Sequence, residues 1–367
     1  MNELLQKFEN IYIHDSARGS EVAIRFCEIF ASEKIHFVDQ LSGPTGELSA
    51  QEFNKSKKNI FITKFKGQFF KRCPGANGSG LACCNYYVLN LGLQCDMNCS
   101  YCYLQSFINT SMLTIYSNID DAILELKTMY QESKSKAVRV GTGETIDSLS
   151  LDPLTLYSQK LISAFKEMPN WKLEFKTKSR FIEQFVNESH AGNVVVSWSI
   201  NPQEIISSEE HGTASLEERL QAAELSVKNS FLVSFHIDPM IWHPNWKENY
   251  LNLASQIHAR FRPHQVLSIS VGGLRFQPEQ RHMMRERFGM NSYVTKGEVF
   301  RGHDGKLRYD LDLRNEMFDC LISQFRKLDP NWRVFLCMES PETWISNFSA
   351  HPMRVEGLKE LFEPIQM

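Results

Sequence analysis

Residues 92–105 read GLQCDMNCSYCYLQ and set Cys95, Cys99 and Cys102 in a C-x3-C-x2-C array, directly after the apolar run YYVLNLGL (86–93). Three thiolates so closely spaced surround one small inorganic core only if the loop curls around it. A zinc knuckle joins one C-x2-C pair to a second further along, and no second pair stands here. A C-x-x-C redox motif leaves Cys95 without a role. A cubane iron–sulfur cluster on three thiolates leaves one iron open to a small ligand, and the array favours that over a chance meeting of core thiols.

The run before the cysteines is the first of seven candidate strands. The others are AVRVG (137–141), WKLEFKT (171–177), VVVSWSI (194–200), FLVSFHID (231–238), VLSISV (266–271) and RVFLC (333–337). Helix-period segments lie between them. One spans Asn118 to Gln131; one starts at Asp152-Pro153, an N-cap followed by proline, and runs to Phe165; one starts near Ser215. Such alternation predicts successive βαβ units around a parallel sheet. The expected fold class is α/β: a partial, open TIM-like (β/α)6 barrel of six or seven units over residues 73–345. A small N-terminal α/β extension with a basic segment is expected over 1–72, and a tail over 346–367. The extension holds a helix from about Ser20 to Ala31 and a strand IHFVD, and the polar stretch 41–59 reads as a linker. In a barrel the working residues come from the C-terminal ends of the strands.

Among 367 residues, 42% are hydrophobic and 23% charged, and the formal net charge is −3, so no global positive field draws the chain to nucleic acid or acidic lipid. No stretch approaches the roughly 18 apolar residues of a spanning helix. The stretch MNELLQKFENIYIHD carries acids early and has no long apolar run, so neither a signal nor a transit peptide is expected. Nine cysteines without an export signal predict a reduced, cytoplasmic, metal-binding protein.

The cysteine spacing after a first barrel strand, with an aromatic beside the last Cys, resembles the radical S-adenosylmethionine superfamily. The second strand ends in Gly141-Thr142-Gly143-Glu144, similar to that superfamily's glycine–glycine–glutamate element. CSYCYLQ (99–105), FKTKS (175–179), WSIN (198–201), EHGTASLEERLQAA (210–223), DPMIW (238–242) and GKLRY (305–309) narrow the resemblance to spore photoproduct lyase and its relatives, over roughly residues 60–340. The resemblance implies a lyase that uses one [4Fe–4S] cluster and S-adenosylmethionine to make a 5′-deoxyadenosyl radical for repair of a DNA lesion. It implies an electron donor of the flavodoxin or ferredoxin type and no membrane. Carried over, Cys95, Cys99 and Cys102 are cluster ligands. Gly141, Thr142, Gly143, Glu144, Lys178, Ser199 and Tyr101 line the cofactor site, with Lys178 toward the cofactor carboxylate and Glu144 toward its ammonium. Tyr103 belongs to a radical relay. Family repair enzymes carry a hydrogen-donating cysteine in a Cys-Thr-Ser-Asp stretch where this chain has Gly141 to Glu144. Cys337, ending its strand before MESPETW, and Tyr103 are then the candidate quenchers.

Residues 54–72 hold seven basic side chains, including Lys57, Lys64, Lys66 and Lys71, and no acid; Phe61, Phe65, Phe69 and Phe70 interleave. Basic residues with aromatics suit phosphate contact and base stacking, as an amphipathic strand pair equally would. Arg275, Lys306 and Arg308 extend the rim in the same reading. Cys73, Cys83 and Cys84, in RCPGANGSGLACC, read as buried thiols or a redox pair rather than a second metal site, and Cys27 and Cys320 as core. A radical enzyme acting on a peptide, tRNA or small metabolite is the alternative substrate class. A non-enzymatic iron–sulfur or zinc nucleic-acid module is a third reading, against which GTGE and Lys178 count.

Overall fold

Eight strands follow one another across the main sheet in chain order: β1 (Phe70–Arg72), β2 (Tyr87–Leu89), β3 (Val138–Gly141), β4 (Trp171–Thr177), β5 (Val194–Ser199), β6 (Leu232–Met240), β7 (Val266–Gly273) and β8 (Val334–Leu336). This is a computed structural model, describing residues 2–40, 48–73, 80–82, 84, 86–108, 110, 112–350 and 354. β2 to β8 pair in parallel, each with the next, and β1 lies antiparallel to β2. Seven parallel strands with helices between them, curled and unclosed, form a partial TIM-like barrel. β5 is buried along its whole length, as a parallel strand covered on both faces must be.

The face turned into the curl is polar. Arg139 on β3 reaches Glu174 on β4 (Nη2–Oε2 2.6 Å), and Glu174 accepts from Ser197 on β5 at 2.7 Å. His236 on β6 lies 2.8 Å from Glu174 and 2.6 Å from the Ser270 hydroxyl on β7. Five consecutive strands are thus joined by one buried network. Burial alone would protonate Glu174, but Arg139 and then His236 hold it well below the usual carboxylate range. Burial, then the charge of Lys176, pushes His236 down to about 4, so the imidazole stays neutral.

A second sheet lies outside the barrel in the order Ile35–Val38, Asn10–His14, Asn59–Thr63, Leu113–Tyr116, Gly92–Leu93. The first four strands are parallel and Gly92–Leu93 is antiparallel. The apolar run 86–93 is therefore two strands. Its first half belongs to the barrel, and its second half crosses to the outer sheet and delivers the chain to the cysteine loop. One hydrophobic core joins both sheets, with Phe8, Ile13, Ile62 and Ile115 on one side and Phe70, Trp171 and Leu173 on the other.

Several local expectations change. Part of the stretch read as a linker is structured, as the helix Ala50–Ser56, capped by Ser49 and Glu52, and the strand Asn59–Thr63; residues 41–47 lie outside the described residues. The helix expected from Asp152 to Phe165 is two helices, Asp152–Thr155 and Tyr157–Phe165, broken where Leu156 turns left-handed (φ 55°). Asp152 does not cap the first; it accepts from the Ser158 amide at 2.9 Å and hydroxyl at 2.5 Å, opening the second. Ser215 does cap Leu216–Lys228, with Glu218 completing the box. Cys27 is exposed rather than core, because Val22, Ala23 and Phe26 set the buried stripe of Glu21–Ile29. Cys320 is half-buried.

Removing Glu174 strands a buried guanidinium, so Glu174→Ala should lower unfolding free energy by about 3–5 kcal/mol in urea titration. A second outcome concerns pH. Unfolded histidine takes a proton near 6.5, which folded His236 refuses down to about 4. Its contribution to stability is complete above about 6.5 and is lost as pH falls toward 4. Stability measured across that window should fall less steeply in His236→Gln than in the parent.

Candidate functional site at the barrel mouth

The cysteine loop starts where Gln94 adopts a left-handed conformation (φ 74°), turning the chain from the outer sheet over the C-terminal ends of the barrel strands. The buried Gln94 side chain donates to Ser56 at 2.7 Å. Lys57, 7% exposed, donates to the carbonyls of Cys95 and Met97, both at 2.6 Å. Asp96 is fixed by Lys7 (2.6 Å) and Ser150 (2.5 Å). On the barrel side Asn98–Cys99 pairs antiparallel with Glu210–His211, which follow β5. Gln280 donates to the Cys102 carbonyl at 2.9 Å.

Cys99 is buried, and Cys95 and Cys102 are half-buried. Burial pushes the Cys99 thiol up to about 12 and Cys95 well above its ordinary value. Around them stand Lys57 beside Cys95, Lys178 and Arg219 near Cys99, and Arg287 near both Cys99 and Cys102. Among the described residues no three thiol, imidazole or carboxylate groups close on a single metal-ion position. Three thiols on one curled loop, with Cys102 in electrostatic reach of both Cys95 and Cys99 and cations around them, fit a larger anionic core better than one ion.

Next to the loop, Glu210 is fully buried 2.7 Å from the guanidinium of Arg219, which is also fully buried. Arg219 further holds the carbonyl of Ser199 (2.7 Å) and the Thr213 hydroxyl (2.7 Å). Glu210 accepts from Tyr101 and from Asn201 (3.1 Å). Burial would raise its carboxyl; Arg219, then Lys178, bring it down to about 2. Burial opposes the charge of Lys178, but Glu210 and Cys99 outweigh it and hold the ammonium above its ordinary range. Lys178 Nζ also lies 5.6 Å over the Tyr101 ring. Lys178, Tyr101, Ser199 and Cys99 therefore share one corner of the mouth.

The Gly141–Glu144 turn lies across the mouth, at the end of β3. A β-carbon on Gly143 would meet the Lys176 carbonyl at 2.4 Å, so this close approach of β4 requires glycine. Thr142 donates to Ser148 (2.7 Å), and the Tyr103 hydroxyl donates to the Glu144 carbonyl (2.8 Å), bringing the cysteine loop and this turn together. Glu144 is half-buried, its carboxyl raised by burial against the pull of Lys71. Cys337 follows β8 and faces the lumen, where its thiol meets Asp238; burial keeps that thiol protonated. Cys84 lies within electrostatic reach of Cys337 and Tyr86, and Cys73 of Tyr103 and Lys306. Cys83 lies outside the described residues.

The basic residues drawn from the sequence separate. Lys64, Lys66 and Lys71 are exposed. Lys57 is instead the buried clamp on the cysteine loop, and Phe69 and Phe70 are core, with Phe65 stacked on Tyr116 at 4.4 Å. Phe65 and Phe69 pack on Tyr116 of the outer sheet, whereas Phe70 stacks on Tyr87 and Trp171 of the barrel. Arg275 forks onto Asp238 (2.7 and 3.0 Å) inside the lumen. Arg308, 4% exposed, binds Asp304 at 2.6 Å and lies 3.5 Å from Glu339, so its charge is neutralised within the fold. Lys306 remains at the lumen edge, 3.9 Å from Asp304. Glu210, Arg219 and Lys57 were not singled out from sequence. The EHGTASLEERL stretch carried the signal for the first two, but nothing in the run of lysines distinguishes Lys57.

The architecture is that of a partial-barrel α/β protein with a three-cysteine loop seated on its mouth. The spore photoproduct lyase family model matches residues 27–310, and the chain belongs to that family. It is 24% identical to the spore photoproduct lyase of Clostridium acetobutylicum over 329 residues, 88% of this chain and 89% of that protein. The matches to the enzymes of a Geobacillus strain (24% identical) and Bacillus subtilis (26%) span 60% of this chain, and less than two thirds of those proteins, 62% and 63%. A solved spore photoproduct lyase with dinucleoside spore photoproduct superposes with TM-score 0.77 at 22% identity, covering 90% of this chain and 99% of that one. Another, with bound AdoMet and the same dinucleoside, gives 0.78 at 21% identity and the same coverage.

The Lys57 clamp is testable without any cofactor. Charged hydrogen bonds of about 1.5–3 kcal/mol hold the loop, so Lys57→Met should raise local opening by roughly tenfold or more. Amide exchange across residues 94–100 measures this; an unchanged rate would assign the loop's rigidity to the Glu210–His211 bridge.

Proposed function

We propose that the protein is a radical S-adenosylmethionine lyase acting on a DNA lesion of the spore-photoproduct class. The observation that carries this reading is the seating of Cys95, Cys99 and Cys102 on the barrel mouth beside Lys178 and Tyr101, in a member of this family. The three thiolates would hold a [4Fe–4S] cluster with one iron left for the amino and carboxylate groups of S-adenosylmethionine. When bound, cluster and cofactor supply the one-electron cleavage that starts radical chemistry, fed by a flavodoxin- or ferredoxin-type donor.

The chain's own residues orient and shield. Lys178, kept charged by Glu210, would meet the cofactor carboxylate and Glu144 its ammonium, with Ser199 and Tyr101 beside Lys178 completing the site. Gly143 lets the β3 turn pack against β4, and Thr142 ties that turn to Ser148. Lys176 and Lys306 place positive charge along the lumen, and Lys64, Lys66 and Lys71 lie exposed on the protein surface for a phosphate backbone. Tyr103, tied to Glu144, and Cys337, facing Asp238, stand where a radical passes or ends.

Anaerobic reconstitution followed by reduction in the presence of dinucleoside spore photoproduct tests the reading. The expected result is a brown protein that forms 5′-deoxyadenosine and thymine products. Formation of 5′-deoxyadenosine with no dependence on the dinucleoside would favour a peptide, tRNA or metabolite substrate. Cys99→Ala should lose both colour and cofactor cleavage. Lys178→Ala, iron intact, should weaken S-adenosylmethionine binding by roughly one to two orders of magnitude in calorimetry, the value of one charge-assisted hydrogen bond.

A further inference from the structure

Gly141 ends β3 on its lumen-facing side, paired in register with Glu174 on β4 and Val88 on β2. The space where its side chain would stand is already filled. A β-carbon built on Gly141 would lie 1.7 Å from the hydroxyl oxygen of Tyr86 and 2.2 Å from its Cζ. No side chain at 141 coexists with this tyrosine. The Tyr86 hydroxyl is inaccessible to solvent and, among the described residues, has no hydrogen-bond partner, although a buried phenol normally finds one. Its ring is held from below by the Arg139 guanidinium, 5.3 Å from the ring centre, and its backbone carbonyl accepts from the Cys73 amide at 2.8 Å. A rigidly placed, unpaired O–H thus points into the position that a residue at 141 would offer the lumen. Burial, reinforced by Glu174, keeps this phenol protonated far above its ordinary value, so it carries a hydrogen atom at any working pH.

Building on the radical chemistry proposed above, we propose that Tyr86 is a catalytic residue whose phenol gives a hydrogen atom to the substrate-derived radical, in the place left open by Gly141. The O–H bond of Tyr86 breaks homolytically. Its hydrogen atom, a proton with one electron, joins the unpaired electron of the carbon radical to form a C–H bond, and an oxygen-centred radical remains on Tyr86. A thiol, Cys337 in the lumen or a small-molecule thiol reductant, returns a hydrogen atom to that oxygen, and two spent sulfur radicals pair as a disulfide. Phenol and thiol hydrogens both exchange with solvent, so the hydrogen delivered to product carries the solvent label.

The chemical test is turnover of dinucleoside spore photoproduct by the reconstituted full chain in D2O, with product and 5′-deoxyadenosine counted together. The wild type should deliver deuterium to product. Tyr86→Phe, which keeps the ring, should lose that deuterium and give much less product per 5′-deoxyadenosine formed. The double variant Tyr86→Ala with Gly141→Cys should recover both, a thiol now filling the vacated space. Unchanged deuterium and yield in Tyr86→Phe would overturn the proposal, as would loss of label confined to Cys337→Ala or Tyr103→Phe. A wild type that forms no 5′-deoxyadenosine would overturn the proposed function and this step with it. The geometry has its own readout in the unloaded protein. Gly141→Ala should lower the thermal midpoint by several degrees when Tyr86 is present and much less in the Tyr86→Ala background. Equal shifts in both backgrounds would refute the shared space.

Discussion

The buried pair of Glu210 and Arg219 is the constraint on which the mouth of the barrel depends. Two opposite charges at zero exposure cost several kcal/mol each in desolvation unless every remaining donor and acceptor is used. Here most are. Arg219 spends its donors on the end of β5 and on the loop after it, and Glu210 collects Tyr101 and Asn201. The residues that satisfy the pair are those that fix the cysteine loop, because Tyr101 lies between two of its cysteines and Glu210 itself pairs in register with Cys99. Solvating the pair would release the loop from the strand ends.

The two ends of the lumen carry charge differently. Deep inside, Arg139, Glu174 and neutral His236 form a network with positive and negative charge in balance, one Arg139 nitrogen lacking a hydrogen-bond partner among the described residues. Toward the mouth Lys176, Lys178 and Lys306 mix with Glu144, Glu210 and Asp304, while Arg275 is committed to Asp238. The thiol of Cys337 and the phenol of Tyr86 sit between these two regimes, both protonated by burial.

The barrel was legible because parallel strands leave short apolar runs separated by helix-period segments. The cysteine array was legible because its spacing is rare. What escaped was whatever depends on contacts between segments far apart in sequence. YYVLNLGL reads as one strand since nothing local marks the step at Asn90 between two sheets. Lys57 reads as one lysine among seven; only the fold turns it inward onto Cys95 and Met97. Phe65, Phe69 and Phe70 look equally suited to stack on bases or to fill a core, and contacts distant in sequence decide, with Tyr116 for the first two and with Tyr87 and Trp171 for the third. The absence of a thiol at Gly141 was plain in the sequence, but Tyr86 in its place is 55 residues away by number and adjacent only through the β2–β3 pairing.

The outer sheet is assembled from strands whose chain order is interrupted by the barrel. Its last two strands in the sheet order, Leu113–Tyr116 and Gly92–Leu93, are made after β1 and β2, so the first three outer strands stay incomplete while the barrel begins. Neither sheet can finish alone as the chain is synthesised. Non-local pairing of this kind slows folding and leaves strand edges open for longer. It also makes the two parts cooperative: the cysteine loop is held from both sheets, so a chain with a damaged outer sheet would lose the Lys57 and Gln94 side of that loop even with every barrel residue intact.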